Sequence, residues 1–179
     1  MSEVILQRQF AEPLTDDALI EMLQGTSGCF DLHRVEWQES LLSSDRQHML
    51  CHFRGPDAES VRAALRSVDT DMRVHWPSTV HDAPDRSSDE ICAANVLVLR
   101  SFDEPVTLED LQAIEDDNIH CLETHRVRFM RTFFSTDHMH MACLYEAPDS
   151  ESVRIAQRQA GMPFNSIWAF QRLAPDMFG

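Results

Sequence analysis

The sequence predicts an α+β protein built from two tandem repeats with antiparallel sheets. When the 179-residue chain is shifted by 92 positions, the segment that starts at Val4 aligns without a gap with the segment that starts at Val96. Of the 59 aligned positions, 22 are identical, far more than the roughly one in twenty expected between unrelated segments. A polar stretch at 81–90, with one proline and no apolar periodicity, is predicted to be a linker. We therefore place the first repeat at 1–86 and the second at 87–179.

Each repeat is predicted to begin with a strand followed by a helix. The apolar and β-branched residues at 4–10 end at a Glu-Pro pair, as expected for a strand that stops at a turn. Thr15 then precedes acidic residues and apolar residues at helical spacing, which predicts a helix N-cap. The same two patterns recur 92 residues later, at 96–102 and at Thr107.

A β-hairpin is predicted in the middle of each repeat. In the first repeat, residues 33–42 have a strand-like composition, turn at 43–45 and return at 48–53. The second repeat has its counterparts at 125–134 and 140–145, again joined by a turn that contains serine and aspartate.

A second helix and a last strand complete each repeat. Asp57 and Asp149 are the predicted N-caps of helices whose apolar residues share one face, and Gly161 marks a helix end. The last strands are expected around 74–76 and 166–168. The resulting order βαββαβ is that of the ferredoxin-like split βαβ unit, so the sequence predicts two tandem ferredoxin-like repeats.

Alternation along the hairpin strands assigns their side chains to two faces of the sheet. We expect the face with Leu41, Leu50 and the histidines of the hairpin tips to pack under the helices. The opposite, mixed face is expected to carry the candidate ligand-binding residues Arg34, Cys51, Arg126, Cys143 and Tyr145. Because a ferredoxin-like sheet has helices on one side only, another sheet must cover this face, which predicts a semi-polar cavity between two sheets. The two halves either cover each other within one chain or pair across a homodimer.

Composition and charge exclude several classes of partner. The chain has 15 Lys and Arg against 30 Asp and Glu, and its net charge of -15 disfavours nucleic acids and anionic membrane surfaces. No apolar run approaches the roughly 20 residues of a membrane span, and no signal segment is expected. The five cysteines form no CxxC pair, which is typical of reduced thiols and predicts a cytoplasmic protein. No phosphate-binding loop is present, so nucleotide-driven chemistry is not expected.

The second half carries a run of residues that resembles a known family. These residues are Ser135, Asp137, Cys143, Tyr145, Ala147, Pro148, Glu151, Arg154, Gly161 and Pro163. Together they are similar to the DUF4242 family of small ferredoxin-like bacterial proteins, whose pattern runs from a Ser-x-Asp turn through Cys-x-Tyr-x-Ala-Pro to a Gly-Leu-Pro after the helix. The first half is a weaker copy, with Phe53 in place of the tyrosine. The resemblance implies a dimeric α/β-barrel architecture, here as a pseudo-dimer within one chain, and nickel binding without an established reaction.

Histidines supply the candidate metal site. Imidazole and thioether ligands suit borderline or soft metals such as nickel, copper or zinc. On a strand, His138 and His140 point to one side and the neighbouring methionines to the other, so the stretch offers two histidine ligands at most. The remaining ligands would come from His125 on the neighbouring strand, or from His33 and His48 in the other half. The alternative is that hairpin-tip histidines are solvated and the methionines fill gaps in the core.

Three hypotheses of function follow from these features. The first is a cytoplasmic protein that binds a divalent transition metal such as nickel, or another small ligand. The second is a cofactor-independent enzyme that uses the cavity between the sheets, with Arg126, Cys143 and Tyr145 facing the substrate. The third is a regulatory or oligomerisation module without chemistry, because a fold alone implies no reaction. Arginines in the cavity would bind an anionic ligand or pair with carboxylates, and Cys51 and Cys143 would otherwise act as small buried apolar residues.

Overall fold

Two units of mixed α and β structure make up the protein, which we describe from a computed structural model covering residues 1–24, 27–68, 71–72 and 74–177. Unit 1 consists of Met1–Ser78 and Gln171–Gly179, and unit 2 consists of Thr79–Phe170. The α+β class with antiparallel sheets is confirmed. The predicted repeat boundary between 86 and 87 remains a prediction. None of the described helices is long and apolar enough to cross a membrane.

Unit 1 contains the βαββαβ order with one additional helix. Its elements are β1 (Ser2–Gln9), α1 (Asp16–Gln24), α2 (Ser27–His33), β2 (Glu36–Ser43), β3 (His48–Gly55), α3 (Ala58–Ser67) and the start of β4 (Val74–Asp82). Strand β1 pairs with both β3 and β4, and β2 pairs with β3, all antiparallel. The strand order is therefore β4-β1-β3-β2, as in a ferredoxin-like sheet.

Unit 2 has the same strand order. Its elements are the end of β4, α4 (Ser88–Ile91), β5 (Val96–Ser101), α5 (Leu108–Asp117), α6 (Ile119–Thr124), β6 (Arg128–Ser135), β7 (His140–Glu146), α7 (Ser150–Ala160) and most of β8 (Ser166–Leu173). Strand β5 pairs with β7 and β8, and β6 pairs with β7, all antiparallel. A short 3-10 helix follows β8 at Pro175–Met177.

The helix ends lie where the sequence predicts them. The Thr107 hydroxyl accepts a hydrogen bond from the backbone N–H of Asp110 at 3.1 Å. Asp57 and Asp149 accept bonds from the backbone N–H groups of the third helical residues, both at 2.7 Å. These bonds satisfy N–H groups that have no partner within the helix. Gly161 ends α7 in the left-handed conformation, with φ of 72°.

Two predicted segments differ from the structure. The hairpin strands begin later than expected, because α2 and α6 precede them and the chain leaves each helix through Arg34 or Arg126, at φ of 56° and 58°. The predicted linker is partly regular, since β4 continues to Asp82 and α4 begins after Ser87. A capping box explains α4: the Ser87 hydroxyl accepts from the Glu90 N–H, and the Glu90 carboxylate accepts from the Ser87 N–H.

The predicted assignment of side chains to sheet faces is wrong for β3 and β7, and for the parts of β2 and β6 that follow a register shift. Met49, Cys51 and Phe53 pack into the hydrophobic cluster that also contains helix residues, so Leu41 and Leu50, which pair with each other, lie on the other face. A register shift between Trp37 and Glu39 is the physical reason in β2, since one extra residue reverses the alternation. The shift between Phe129 and Arg131 has the same effect in β6.

Candidate functional site

A buried arginine lies between the sheet and the helices of unit 2. Arg100 on β5 is 2% exposed and stands opposite Met141 of β7. Val98, two residues earlier, belongs to the hydrophobic cluster on the helix side of the sheet. Alternation therefore places Arg100 on the helix side as well. A cationic side chain at such a position requires nearby acceptors, since burying an unpaired charge is costly.

Three elements supply acceptors to Arg100. Its Nη2 donates to Oε1 of Gln157 on α7 at 2.7 Å and to the Tyr145 hydroxyl on β7 at 3.2 Å. Its Nη1 donates to the carbonyl of Pro163. The Tyr145 hydroxyl in turn donates to Oε2 of Glu115 on α5 at 3.0 Å. Side chains of unit 2 thus supply hydrogen-bond acceptors around the Arg100 guanidinium, and this network ends at the carboxyl group of Glu115.

Burial controls the protonation of this network. Burial raises the pKa of Glu115, and the hydrogen bond from Tyr145 and the charge of Arg100 only partly oppose it. Burial and the nearby Glu115 carboxyl raise the pKa of Tyr145 well above its ordinary value. Burial alone would lower the pKa of Arg100, but the neighbouring Cys143, Tyr145 and Glu115 reverse the direction. The arginine therefore stays charged, and the tyrosine stays a hydrogen-bond donor.

Unit 1 has an arginine at the equivalent place. Arg8 on β1 stands opposite Met49 of β3, as Arg100 stands opposite Met141, and the two arginines are 92 residues apart. Their surroundings differ at three positions related by the same shift. Where unit 2 has Glu115, Tyr145 and Gln157, unit 1 has Leu23, Phe53 and Leu65. The polar side chains that surround the arginine of unit 2 are thus apolar in unit 1.

Arg8 has weak partners as a result. Its Nη1 contacts Sδ of Met22 at 2.8 Å, and its guanidinium carbon lies 5.2 Å from the centre of the Phe10 ring. A thioether is a poor hydrogen-bond acceptor. Among the described residues, the buried Nε of Arg8 has no hydrogen-bond partner, as is also true of the Nε of Arg100. Within the same ranges no carboxylate forms an ion pair with Arg8.

A cavity that is partly open to solvent lies beside Arg8. Its described lining residues are Leu6, Arg8, Met22, Leu23, Phe30, Trp37, Ser40, Cys51, Phe53 and Leu65. Within it the Ser40 hydroxyl contacts the Cys51 sulfur at 3.1 Å, and burial raises the pKa of the Cys51 thiol. The corresponding cavity of unit 2 is smaller and includes Glu115 and Tyr145 in its lining.

The predicted ligand-binding residues are separated by the structure. Cys51 lines the cavity of unit 1, and Cys143 and Tyr145 line that of unit 2. All three face the helices instead of a second sheet, which corrects the predicted cavity. Arg34 and Arg126 are exposed at the ends of α2 and α6 and line neither cavity. Ligand binding by these residues remains a prediction.

The predicted histidine ligands do not converge. His125 lies before β6, where its Nε2 is 2.9 Å from Oε1 of Gln159, whereas His138 and His140 lie beyond the far end of that strand. An eight-residue strand is about 26 Å long, so His125 and the other two cannot bind one ion. In unit 1, β2 separates His33 from His48 in the same way. Among the described residues no group of three or more His, Cys, Asp or Glu side chains could hold a metal ion.

A second buried polar cluster lies on the opposite face of the unit 1 sheet. The Nε2 of His52 is 2.5 Å from Oε2 of Glu3, and its Nδ1 is 4.0 Å from Oε1 of Glu39. Glu39 accepts a hydrogen bond from Nε of Arg172 at 2.6 Å, and Arg54 pairs with Glu3. Since the two carboxylates face different nitrogens of His52, they form an ion-pair network and not a converging ligand set.

Sequence reasoning missed the residues that matter most at these places. Arg8 and Arg100 align under the 92-residue shift, but an arginine within an apolar strand pattern does not indicate how far its side chain is buried. Glu115 lies in an acidic helix and resembles its exposed neighbours. The sequence did contain one signal of this difference: the 92-residue shift aligns Leu23 of the first half with Glu115 of the second.

Comparison with known proteins gives a partial family match. Residues 97–169 match the family model described as nickel responsive protein SCO4226-like. This segment includes β5 to β7 and α7, the part of the chain that carries the DUF4242 resemblance. No curated protein matches the chain.

Solved structures resemble the chain at low identity. The crystal structure of SCO4226 from Streptomyces coelicolor A3(2) is 19% identical over 41% of this chain and 91% of that one, with a TM-score of 0.37. A heme-binding protein from Thermus thermophilus is 9% identical over 99% and 94% of the two chains, with a TM-score of 0.47. A putative chlorite dismutase is 11% identical over 97% and 94%, with a TM-score of 0.55. That last likeness shows a shared fold over nearly the whole chain, and the predicted fold class is confirmed.

Proposed function

We propose that the chain is a small-ligand-binding protein and that its ligand occupies the cavity of unit 1 beside Arg8. The observation that carries this proposal is an apolar cavity with a cationic side chain that the protein leaves without a carboxylate partner in its described part. Ligand sites are typically concave and mostly apolar, with a few polar groups that orient the ligand. Arg8, Ser40 and Cys51 are such groups here.

The cavity of unit 2 serves as an internal comparison. Arg100 is not among the described residues that line this cavity, and it already has Gln157, Tyr145 and the carbonyl of Pro163 as acceptors. A ligand that reached Arg100 would have to break these buried hydrogen bonds, whereas a ligand in unit 1 would add oxygen acceptors to a guanidinium whose described contacts are a thioether and an aromatic ring. The nickel-responsive family match and the chlorite dismutase-like name of one structural neighbour support ligand binding in general terms.

Ligand titrations followed by amide NMR test the proposed location. Benzoate and benzamide are suitable probes, because both carry one aromatic ring and they differ in charge. We expect shifts at amides of β1, β3 and α1. Leu23→Trp fills the cavity from its half-buried side and should abolish those shifts. Ile20→Trp, on the exposed side of the same helix, is the matched control and should leave them unchanged. Absence of shifts with both probes would contradict the proposal.

Nickel binding at the hairpin of unit 2 is a second candidate function. It is favoured by the family match at 97–169, which contains His125, His138 and His140, and by the resemblance to DUF4242. His138 is exposed and stacks on Phe134, and His140 is half-buried. Since no group of three ligands exists among the described residues, a Ni²⁺ ion there would have two histidines and would need water or a second copy of the chain to complete its coordination.

Elemental mass spectrometry after a nickel challenge and dialysis tests this candidate. Retention near one ion per chain that is lost in His138→Ala and in His140→Ala would support it. His81→Ala on β4 is the control, since it also removes one histidine. Retention that is equal in all three variants, or absent in the wild type, would contradict the site. Cytoplasmic location, assembly as a pseudo-dimer or homodimer, and an enzymatic role remain predictions from the sequence.

A further inference from the structure

We propose that the ligand of the unit 1 cavity is a small carboxylic acid with an alkyl or aryl body, bound as its carboxylate by Arg8. This inference rests on the proposed function and adds the chemical class of the ligand. It comes from comparing the two units of the same chain, one of which contains a carboxyl group near its arginine.

The two arginines occupy the same position in their sheets. Each follows by two residues an apolar residue that pairs with a cysteine: Leu6 pairs with Cys51, and Val98 pairs with Cys143. In both units a hydroxyl group lies next to that cysteine, at 3.1 Å for Ser40 and 3.3 Å for Thr132. The strand residues around the two arginines are therefore equivalent, and the side chains from the helices differ. Arg8 is half-buried, whereas Arg100 is 2% exposed.

Unit 2 supplies its own carboxyl group. Glu115 reaches the arginine network through the Tyr145 hydroxyl, and it is 7% exposed. The equivalent position in unit 1 is Leu23 on α1, which also lines the cavity. An external carboxylate placed between Leu23 and Arg8 would restore the group that unit 1 lacks.

The side chains that line the unit 1 cavity favour a carboxylic acid with an apolar body. Arginine binds carboxylates through two parallel N–H···O bonds, which are stronger than bonds between neutral groups. Most of the other described lining residues are apolar, such as Phe30, Phe53 and Leu65, and they favour a hydrocarbon body. The net charge of -15 repels anions in general, so an inorganic anion without apolar surface should not accumulate there.

Comparing benzoate, benzamide and inorganic phosphate separates the effect of the ligand's charge from the effect of its shape. Benzoate should bind at least about tenfold more tightly than benzamide, its neutral counterpart, because only the acid forms charge-assisted bonds with Arg8. Inorganic phosphate should produce no shifts at amides of β1 and α1. Equal affinity for benzoate and benzamide would overturn the assignment, and so would phosphate binding comparable to that of benzoate.

Two sets of variants test the residues. Leu23→Glu gives unit 1 the carboxyl group of unit 2 and should reduce benzoate affinity at least about tenfold, by repulsion and by occupying Arg8. Leu23→Gln, of the same size and uncharged, is the control and should reduce it less. Arg8→Met should reduce benzoate affinity to that of benzamide, whereas Arg8→Lys should retain part of the preference for the acid. Unchanged benzoate binding in Leu23→Glu and in Arg8→Met would overturn the inference.

The outcomes distinguish the two proposals from each other. If neither benzoate nor benzamide shifts amides around the cavity, the proposed function fails at this site. If both bind with equal affinity and Leu23→Trp abolishes both, the cavity is a ligand site but the ligand class is wrong. Circular dichroism of each variant verifies folding, and Leu23 is half-buried, so polar replacements there leave the fully buried core unchanged.

Discussion

Glu115 shows how one buried side chain connects structure to pH dependence. Its carboxyl group accepts a hydrogen bond from Tyr145, yet burial raises its pKa above that of an exposed glutamate. In the unfolded chain the same group titrates near its ordinary value. Between these two pKa values the folded protein holds a proton that the unfolded chain has lost, so stability falls as pH rises through this window.

We expect Glu115→Gln to remove that part of the pH dependence. The amide oxygen still accepts the hydrogen bond from Tyr145, but it cannot ionise. The free energy of unfolding of the variant should therefore rise relative to the wild type as pH increases above about 4.3, by at most about 1.4 kcal/mol per pH unit. Urea denaturation at several pH values measures the difference.

Comparing the variant with the wild type at each pH cancels the contribution of carboxylates whose pKa is lowered by folding, because both proteins contain them. The pKa values of Asp45 and Asp137 are lowered, mainly by hydrogen bonds from Ser43 and Ser135, so their contribution is lost as pH falls. Asp117→Asn, at an exposed position on the same helix, is the control and should follow the wild type. A constant difference between Glu115→Gln and wild type at all pH values would contradict a raised pKa.

At the scale of elements, the sequence is informative where one residue type has one physical role. Asp57, Thr107, Asp149 and Gly161 were predicted as helix ends because only certain side chains cap helices or adopt positive φ. The bulges in β2 and β6 could not be predicted, because no glycine or proline marks them and either alternation gives apolar residues on both faces. This one-residue shift reversed the predicted facing of Cys51 and of the whole candidate cavity.

Gly161→Ala should destabilise the protein by about 1 kcal/mol. A Cβ at this position would meet no atom within 4 Å, so the cost is conformational and arises from the φ of 72°. Gly161→Asn is the matched control, since asparagine adopts the left-handed conformation more readily than alanine. In thermal or urea unfolding, the wild type should be the most stable protein, Gly161→Asn less stable, and Gly161→Ala the least stable. Alanine as stable as glycine would show that the helix end can rearrange.

At the scale of the whole molecule, the two halves keep one architecture and differ in one buried network. The 92-residue shift keeps the cysteine, the hydroxyl and the arginine in both units, while Leu23, Phe53 and Leu65 replace three polar residues. Comparing the two halves of the sequence therefore predicts the shared arginine, cysteine and hydroxyl positions of the candidate site. It could not predict that Arg8 lacks a carboxylate partner in the described residues, because that depends on which side chains from α1 and α3 reach the cavity.

Glu115→Leu should convert the cavity of unit 2 to the type found in unit 1. Loss of the carboxyl group leaves the Tyr145 hydroxyl without its acceptor, and we expect a cost of about 1–3 kcal/mol. Benzoate should recover part of that stability by placing a carboxylate near Arg100, whereas benzamide should recover less. In titrations followed by NMR, the wild type should show benzoate shifts in unit 1 only, and Glu115→Leu should show a second set at amides of β5 and α5. If benzoate stabilises the variant no more than the wild type and the second set of shifts is absent, the missing carboxyl group is not what makes the unit 1 cavity a binding site.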